Sequence, residues 1–330
     1  MSSSTCSNST VKSHQNWLFV TVYSMVFLVG LTLNVTALVI FFRNTKSRSH
    51  TTMYMVNLAF ADVLLVCTLP VRIYYHAGLG CLHQRVCDFA GVILLSNMYG
   101  SIFLLTCISF DRCVAVCFPL SSLVREGRKK AWCVCLGIWI LTLGASLPIY
   151  LKPSNRNNSS IVHTMNMTMN TTRQCFGAFP TYATQAGVLA STIVFGFGIP
   201  LTVMIISSWG LIQALNKSTA AQTSELVDSG RIKRMIITNL AIFLLCFLPY
   251  HVILVLLHMF NNSSMSDSML TVYRYSLMVA CLNAMLDPLA YYFATETFRK
   301  KMVAEAVRKK CQINTHSSDG NNRSRTPLTT

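Results

Sequence analysis

The stretch that decides the fold is TCISFDRCVAV, Thr106–Val116. It closes an apolar run, Phe89–Phe110, that carries no charged residue, and at its foot Asp111 and Arg112 stand side by side. As a helix, a run of that length reaches about 30 Å, the thickness of a bilayer's hydrocarbon core. A charge pair placed there falls at the water boundary, where an arginine can snorkel or pair.

Outward from this run the same pattern repeats. Spans are expected at Trp17–Phe42, Thr52–Ala77, Val86–Cys117, Ala131–Leu151, Thr184–Gln213, Ile232–Met259 and Met269–Phe293. Helices satisfy their own backbone hydrogen bonds in lipid, so the fold class is an all-α membrane protein, a seven-transmembrane helix bundle. Composition agrees: of 330 residues 52% are hydrophobic and 12% charged, with mean hydropathy +0.48. A soluble domain carries about twice that charge. The polar N-terminus and long first span predict no cleavable leader. No repeat relates the two halves, which disfavours a transporter. No HExxH or P-loop occurs, so neither enzyme activity nor a cofactor is expected, and nothing suggests nucleic acid as a partner.

The basic residues fall between alternate spans. Arg43, Lys46 and Arg48, then Arg125, Arg128, Lys129 and Lys130, then Lys217, Arg231, Lys233 and Arg234 share one side with a basic tail. By the positive-inside rule that side is cytoplasmic, which puts the chain in the plasma membrane with its N-terminus outside. Glycosylation sequons at Asn8, Asn157, Asn158, Asn166, Asn170, Asn261 and Asn262 fall on the other side. The expected organisation is a glycosylated N-terminus (1–16), the bundle (17–293), a short amphipathic interfacial helix (294–311) and a disordered cytoplasmic tail (312–330). That helix, Phe298, Met302 and Val303 among lysines, precedes Cys311, a candidate palmitoylation site. Serines and threonines of the tail are candidates for phosphorylation by a receptor kinase and for arrestin binding.

Outside, Lys12, Arg72, Arg85, Lys152, Arg156, Arg173 and Arg274 face only Asp88 and Asp267. A cationic mouth attracts an anionic ligand. Cys6, Cys81, Cys87 and Cys175 lie on this oxidising side and allow three pairings; a Cys87–Cys175 bond would pin the long loop over the bundle, leaving Cys6 with Cys81. Inside the spans, Asp62 and Asp287 are the rare charges, with Asn34, Asn57, Asn97, Ser101 and Asn283 as nearby polar groups. They would line a polar core for water and a sodium ion, since two converging carboxylates need a cation or a shared proton. Pro200, Pro249 and Pro288 are expected to interrupt their spans.

These motifs, in order, resemble a rhodopsin-like (class A) G-protein-coupled receptor over about residues 17–311. They are Asn34, NLAFAD with Asp62, Cys87 and Cys175, Asp111–Arg112, Trp139, Pro200, FLLCFLPY with Phe243, Phe247 and Pro249, and DPLAY with Asp287, Pro288 and Tyr291. The resemblance implies that Asp111 latches Arg112 at rest, and that helix six swings out so Arg112 lines the cavity for a heterotrimeric G protein. Phe247, Pro249 and Tyr291 would belong to that switch, and Pro119 and Leu120 to the G-protein contact. The chain departs from the family at Cys113 for a tyrosine, Phe247 for a tryptophan, Asp287 for an asparagine, and Ser207 and Ser208 where a tyrosine is usual.

TLPVRIYY, NMYGSIFLLTCIS, CFLPY and DPLAYYF are similar to the purinergic-type branch, nearest its lysophosphatidic acid receptors. That implies a lysophospholipid ligand: Arg72 and Arg274 hold its phosphate, Lys152, Arg173 and Lys12 form a funnel, and Tyr75, Tyr273, Tyr99 and His251 line the pocket. Guanidinium suits such a group bidentately. The alternatives are another lysophospholipid, a nucleotide, or protons sensed by histidines such as His76 and His251.

Overall fold

The computed structural model describes residues 16–43, 50–80, 82–118, 121, 126, 129–151, 175–176, 182–219, 226–260 and 266–294. Lys12, Lys152, Arg156, Arg173, the seven sequons, Cys6, Cys81, Cys311, Pro119, Leu120, the 294–311 helix beyond Ala294, and the tail lie outside them.

The described residues are helical, with no strand among them. The first four spans are Trp17–Arg43, His50–His76, Gln84–Cys117 and Ala131–Leu151. The fifth runs as Ala186–Ser191, a π segment Thr192–Gly198, and Ile199–Thr219; the sixth is Leu226–Met259; the seventh is Ser266–Cys281 then Asn283–Ala294. Six of these are long and apolar enough to cross a bilayer, and the fourth adds the shorter apolar stretch Ala131–Leu147. Hydroxyls in the lipid-facing first span bond back one turn, Thr32 to Leu28 O (2.7 Å) and Thr36 to Thr32 O (2.7 Å), so no donor is left to hydrocarbon.

The spans close a ring. The first packs on the second, the second on the third, the third on the fourth and fifth, the sixth on the seventh, and the seventh on the first and second. The third is the axis: 72% of its most apolar stretch is buried, against 22% for the fifth. Close approach is set by Gly30, where a Cβ would lie 3.2 Å from Val66 and 3.3 Å from the Ala284 carbonyl.

Of the three expected interruptions, two leave the helix unbroken. Pro249 and Pro288 lie inside continuing helices, as does Pro70 of the second span. Proline cannot donate to the carbonyl one turn back. For Pro288 that carbonyl is Ala284 O, and Asn34 Nδ2 donates to it instead at 2.6 Å. The break in the seventh span comes earlier, at Leu282. Before Pro200 the chain widens into the π segment, where Ile199 N–H bonds Val194 O. The fifth span begins two residues later than expected, the sixth six residues earlier.

Candidate functional site

At one end of the bundle a disulfide joins Cys87, early in the third span, to Cys175, with the Cα atoms 5.6 Å apart. It delivers Phe176, whose backbone sits at φ 55, a left-handed conformation rare for a bulky residue. The Phe176 ring lies over the guanidinium of Arg72, 4.3 Å from its Cζ. Arg72 is 3% exposed. One terminal nitrogen donates to Ala90 O at 3.3 Å, the Tyr23 hydroxyl is also beside it, and Nε has no partner. No carboxylate among the described residues pairs with it. A guanidinium offers five N–H donors, and burying one without a counter-charge is costly. A guanidinium so placed favours an anion beside it.

One helical turn further out, His76 stacks face to face on Phe19 (centroids 4.4 Å), which stacks on Tyr275 (5.0 Å). Asn16 N–H bonds the His76 carbonyl at 3.2 Å, tying the start of the first span to the end of the second. Arg274 acts electrostatically on both His76 and Tyr75, so it belongs to the same chamber.

The expected pocket residues divide into two groups. Arg72, Tyr75 and Arg274 form the outer one. Tyr99, His251 and Tyr273 belong to a second, aromatic cluster. There His251 stacks on Phe197 (4.3 Å), meets Tyr99 edge-on (5.9 Å) and Tyr250 edge-on (5.1 Å), and Tyr250 reaches Tyr273 (5.9 Å). His251 Nδ1 bonds Phe247 O at 2.8 Å, and its buried Nε2 has no partner. The π segment presents Gly196 to Tyr99; a Cβ there would come within 3.0 Å of the Tyr99 ring. Phe19, Tyr23, Phe176, Phe197 and Tyr250 were not among the expected site residues. Of these, Phe176 next to Cys175 and Tyr250 at the end of FLLCFLPY carried a sequence signal.

Midway down, Asn97 Nδ2 donates to Asp62 Oδ1 at 3.0 Å, and Asn283 Nδ2 reaches Ser101 Oγ at 2.9 Å and Asn97 Oδ1 at 3.4 Å. Asp62 Oδ2 is buried without a hydrogen-bond partner, the fully buried Asp287 carboxylate has only the Asn283 amide acting on it, and the two carboxylates repel each other. An unpaired oxygen facing a repelling neighbour fits a cation such as sodium. Asn57 lies apart, accepting from Trp139 Nε1 at 3.0 Å.

Toward the other end Asp111 is buried and accepts from the Thr51 hydroxyl of the second span. Arg112 follows it. Cys113 and Cys117 bring their sulfurs within 3.8 Å of each other, against Gly210 of the fifth span. Phe243 and Phe247 meet edge-on at 5.7 Å, and Tyr291 and Phe247 are fully buried. Ser208 Oγ and both amide atoms of Asn239 are buried without partners.

A ring of seven helices with an anion chamber at one end and an Asp-Arg pair at the other is the architecture of a membrane receptor. The chain belongs to the 7 transmembrane receptor (rhodopsin family), which matches residues 33–291. It is thus a multi-pass membrane receptor that works through G proteins, not an enzyme. Among its relatives, it is 34% identical to lysophosphatidic acid receptor 6 of Mus musculus, over 88% of this chain and 85% of that one. It is 33% identical to lysophosphatidic acid receptor 4 of Homo sapiens, over 86% and 76%. It is 32% identical to cysteinyl leukotriene receptor 1 of Homo sapiens, over 92% and 88%. The short strings quoted above carry an expectation of the fifth lysophosphatidic acid receptor subtype; the relatives found include the sixth and the fourth.

Proposed function

We propose that the chain is a receptor for lysophosphatidic acid, with Arg72 and Arg274 gripping the phosphate and the Tyr99–His251–Tyr273 chamber taking the acyl chain. The observation that carries this is the buried Arg72 guanidinium, which pairs with no carboxylate among the described residues. The names of the relatives support it. In this reading the N-terminus and its sequons are extracellular, because the disulfide and the anion chamber share one end, opposite the Asp111–Arg112 pair. Ligand binding favours the open bundle by its differential affinity for that state. Helix six then moves outward, freeing Arg112 from Asp111 and opening the cavity for the G protein, with Phe247, Pro249 and Tyr291 repacking. Sodium held by Asp62, Asn97, Ser101, Asn283 and Asp287 favours rest. Lys152 and Arg173 extend the funnel, Cys311 anchors the tail, and receptor kinase and arrestin end the signal.

A second reading rests on His251 Nε2. An unpaired nitrogen deep in an aromatic chamber suits a lipid bearing a polar group partway along its chain.

The test is G-protein activation in cells, with lysophosphatidic acid, other lysophospholipids, leukotrienes, nucleotides and stepped external pH as stimuli. Arg72→Ala and Arg274→Ala, matched for surface expression, should each weaken the lysophosphatidic acid response at least tenfold, by the loss of a charge-assisted pair worth about 1.5–3 kcal/mol. A response to pH alone, indifferent to both arginines, overturns the proposal.

A further inference from the structure

The outer chamber holds a third group that no ligand assignment has used. His76 lies one helical turn beyond Arg72, on the same face of the second span. Its ring is half-buried and stacked on Phe19, whose ring stacks in turn on Tyr275. The Tyr75 ring stands edge-on to it at 5.2 Å, and Tyr23 lies 5.9 Å away, tilted. The charges of Arg72 and Arg274 both act on it. Neither ring nitrogen hydrogen-bonds a protein group among the described residues. An imidazole fixed in orientation, flanked by two guanidiniums and left with free ring nitrogens, is placed to touch whatever anion the arginines hold.

We propose that His76 is a third ligand of the headgroup and makes the site select a phosphate monoester over anions with only two free oxygens. This rests on the phosphate-clamp reading above. A monoester presents three acceptor oxygens and a charge of about −1.5 to −2. Arg72 and Arg274 can engage one oxygen each, and the third falls to the His76 N–H. A phosphodiester or a carboxylate has two free oxygens. The two arginines satisfy it, and His76 stays idle. The stacked rings supply the rigidity: Phe19, itself backed by Tyr275, lies on one face of the imidazole and Tyr75 stands edge-on to it, so the donor is aimed before the ligand arrives, and little ordering is left for binding.

The experiment compares oleoyl lysophosphatidic acid with its cyclic phosphate, the same chain on a diester. Both are run against wild type, His76→Phe and His76→Gln in a G-protein activation assay with surface expression matched by an extracellular epitope. His76→Phe keeps an aromatic ring in the stack and removes the donor. It should cost the monoester about tenfold in potency, the size of one hydrogen bond to a charged group, and leave the cyclic phosphate within about twofold. His76→Gln keeps an N–H and should retain part of the monoester preference. Equal losses for both lipids in His76→Phe, or no loss for either, overturn the role of His76 while the arginine clamp stands. A wild type that ignores both lipids sinks the clamp itself, and His76 with it.

Discussion

Asp287→Asn should make this receptor more heat-stable. The wild-type core buries Asp62 Oδ2 without a hydrogen-bond partner, leaves the buried Asp287 carboxylate with no amide beyond that of Asn283 among the described residues, and sets the two carboxylates against each other. A buried oxygen without a partner costs about 1–3 kcal/mol. An asparagine amide at 287 donates toward Asp62 Oδ2 and removes one of the two repelling groups. The gain is about 1–3 kcal/mol, or about 2–6 °C in melting midpoint for a chain of this size. The assay is thermal unfolding of detergent-purified receptor, read with a thiol-reactive dye. Cys135, Cys246 and Cys281 are buried free thiols that such a dye reports on exposure. In choline chloride the variant should melt above wild type. Replacing choline with sodium at constant ionic strength should raise wild type and narrow the gap. A variant that melts below wild type in choline refutes the account, because it would mean that Asp287 is satisfied and stabilising as it stands.

Thr51→Val removes the hydroxyl that donates to Asp111. A buried carboxylate freed from that bond holds its setting less firmly, and basal G-protein activation should rise about two- to fivefold without ligand, the effect of about 0.5–1 kcal/mol on a two-state equilibrium. Gly196→Ala puts a methyl 3.0 Å from the Tyr99 ring, and should lower agonist potency with little change in surface expression, as dose–response curves against expression-matched wild type will report. Trp139→Phe loses the 3.0 Å bond to Asn57 and should lower the melting midpoint by about 2–4 °C, for about 1–2 kcal/mol.

Much of this architecture was written in run lengths. A charge-free stretch such as Phe89–Phe110 has one structural solution in lipid, and the Asp111–Arg112 pair marks where it ends. The polar core was legible for a related reason: Asp62 and Asp287 are too costly in hydrocarbon to lie anywhere but the interior; there Asn97 bonds Asp62, and Asn283 bonds Asn97 and Ser101. Two features could not be read. The π segment is hidden because Thr192–Gly198 sits in a span apolar nearly all round, where periodicity has no phase to slip. The stack of Phe19, His76 and Tyr275 joins three spans, and nothing local in any of them announces the others. No helix ends at Pro249 or Pro288, and at Pro288 the reason is physical. A missing N–H need not break a helix when a neighbour such as Asn34 supplies the donor.

The π segment divides the fifth span into two halves that answer to different masters. One extra residue in a turn rotates everything upstream by about 100° relative to an unbroken α-helix. Ala186–Ser191 and Ile199–Thr219 therefore face their surroundings in independent registers. Deleting a single residue between Thr192 and Gly198 would turn the outer half like a dial and carry Gly196 away from Tyr99. The half that holds Gly210 against Cys113 and Cys117 would stay where it is. Ligand preference can thus drift along this span by insertion or deletion, with the coupling end left in place.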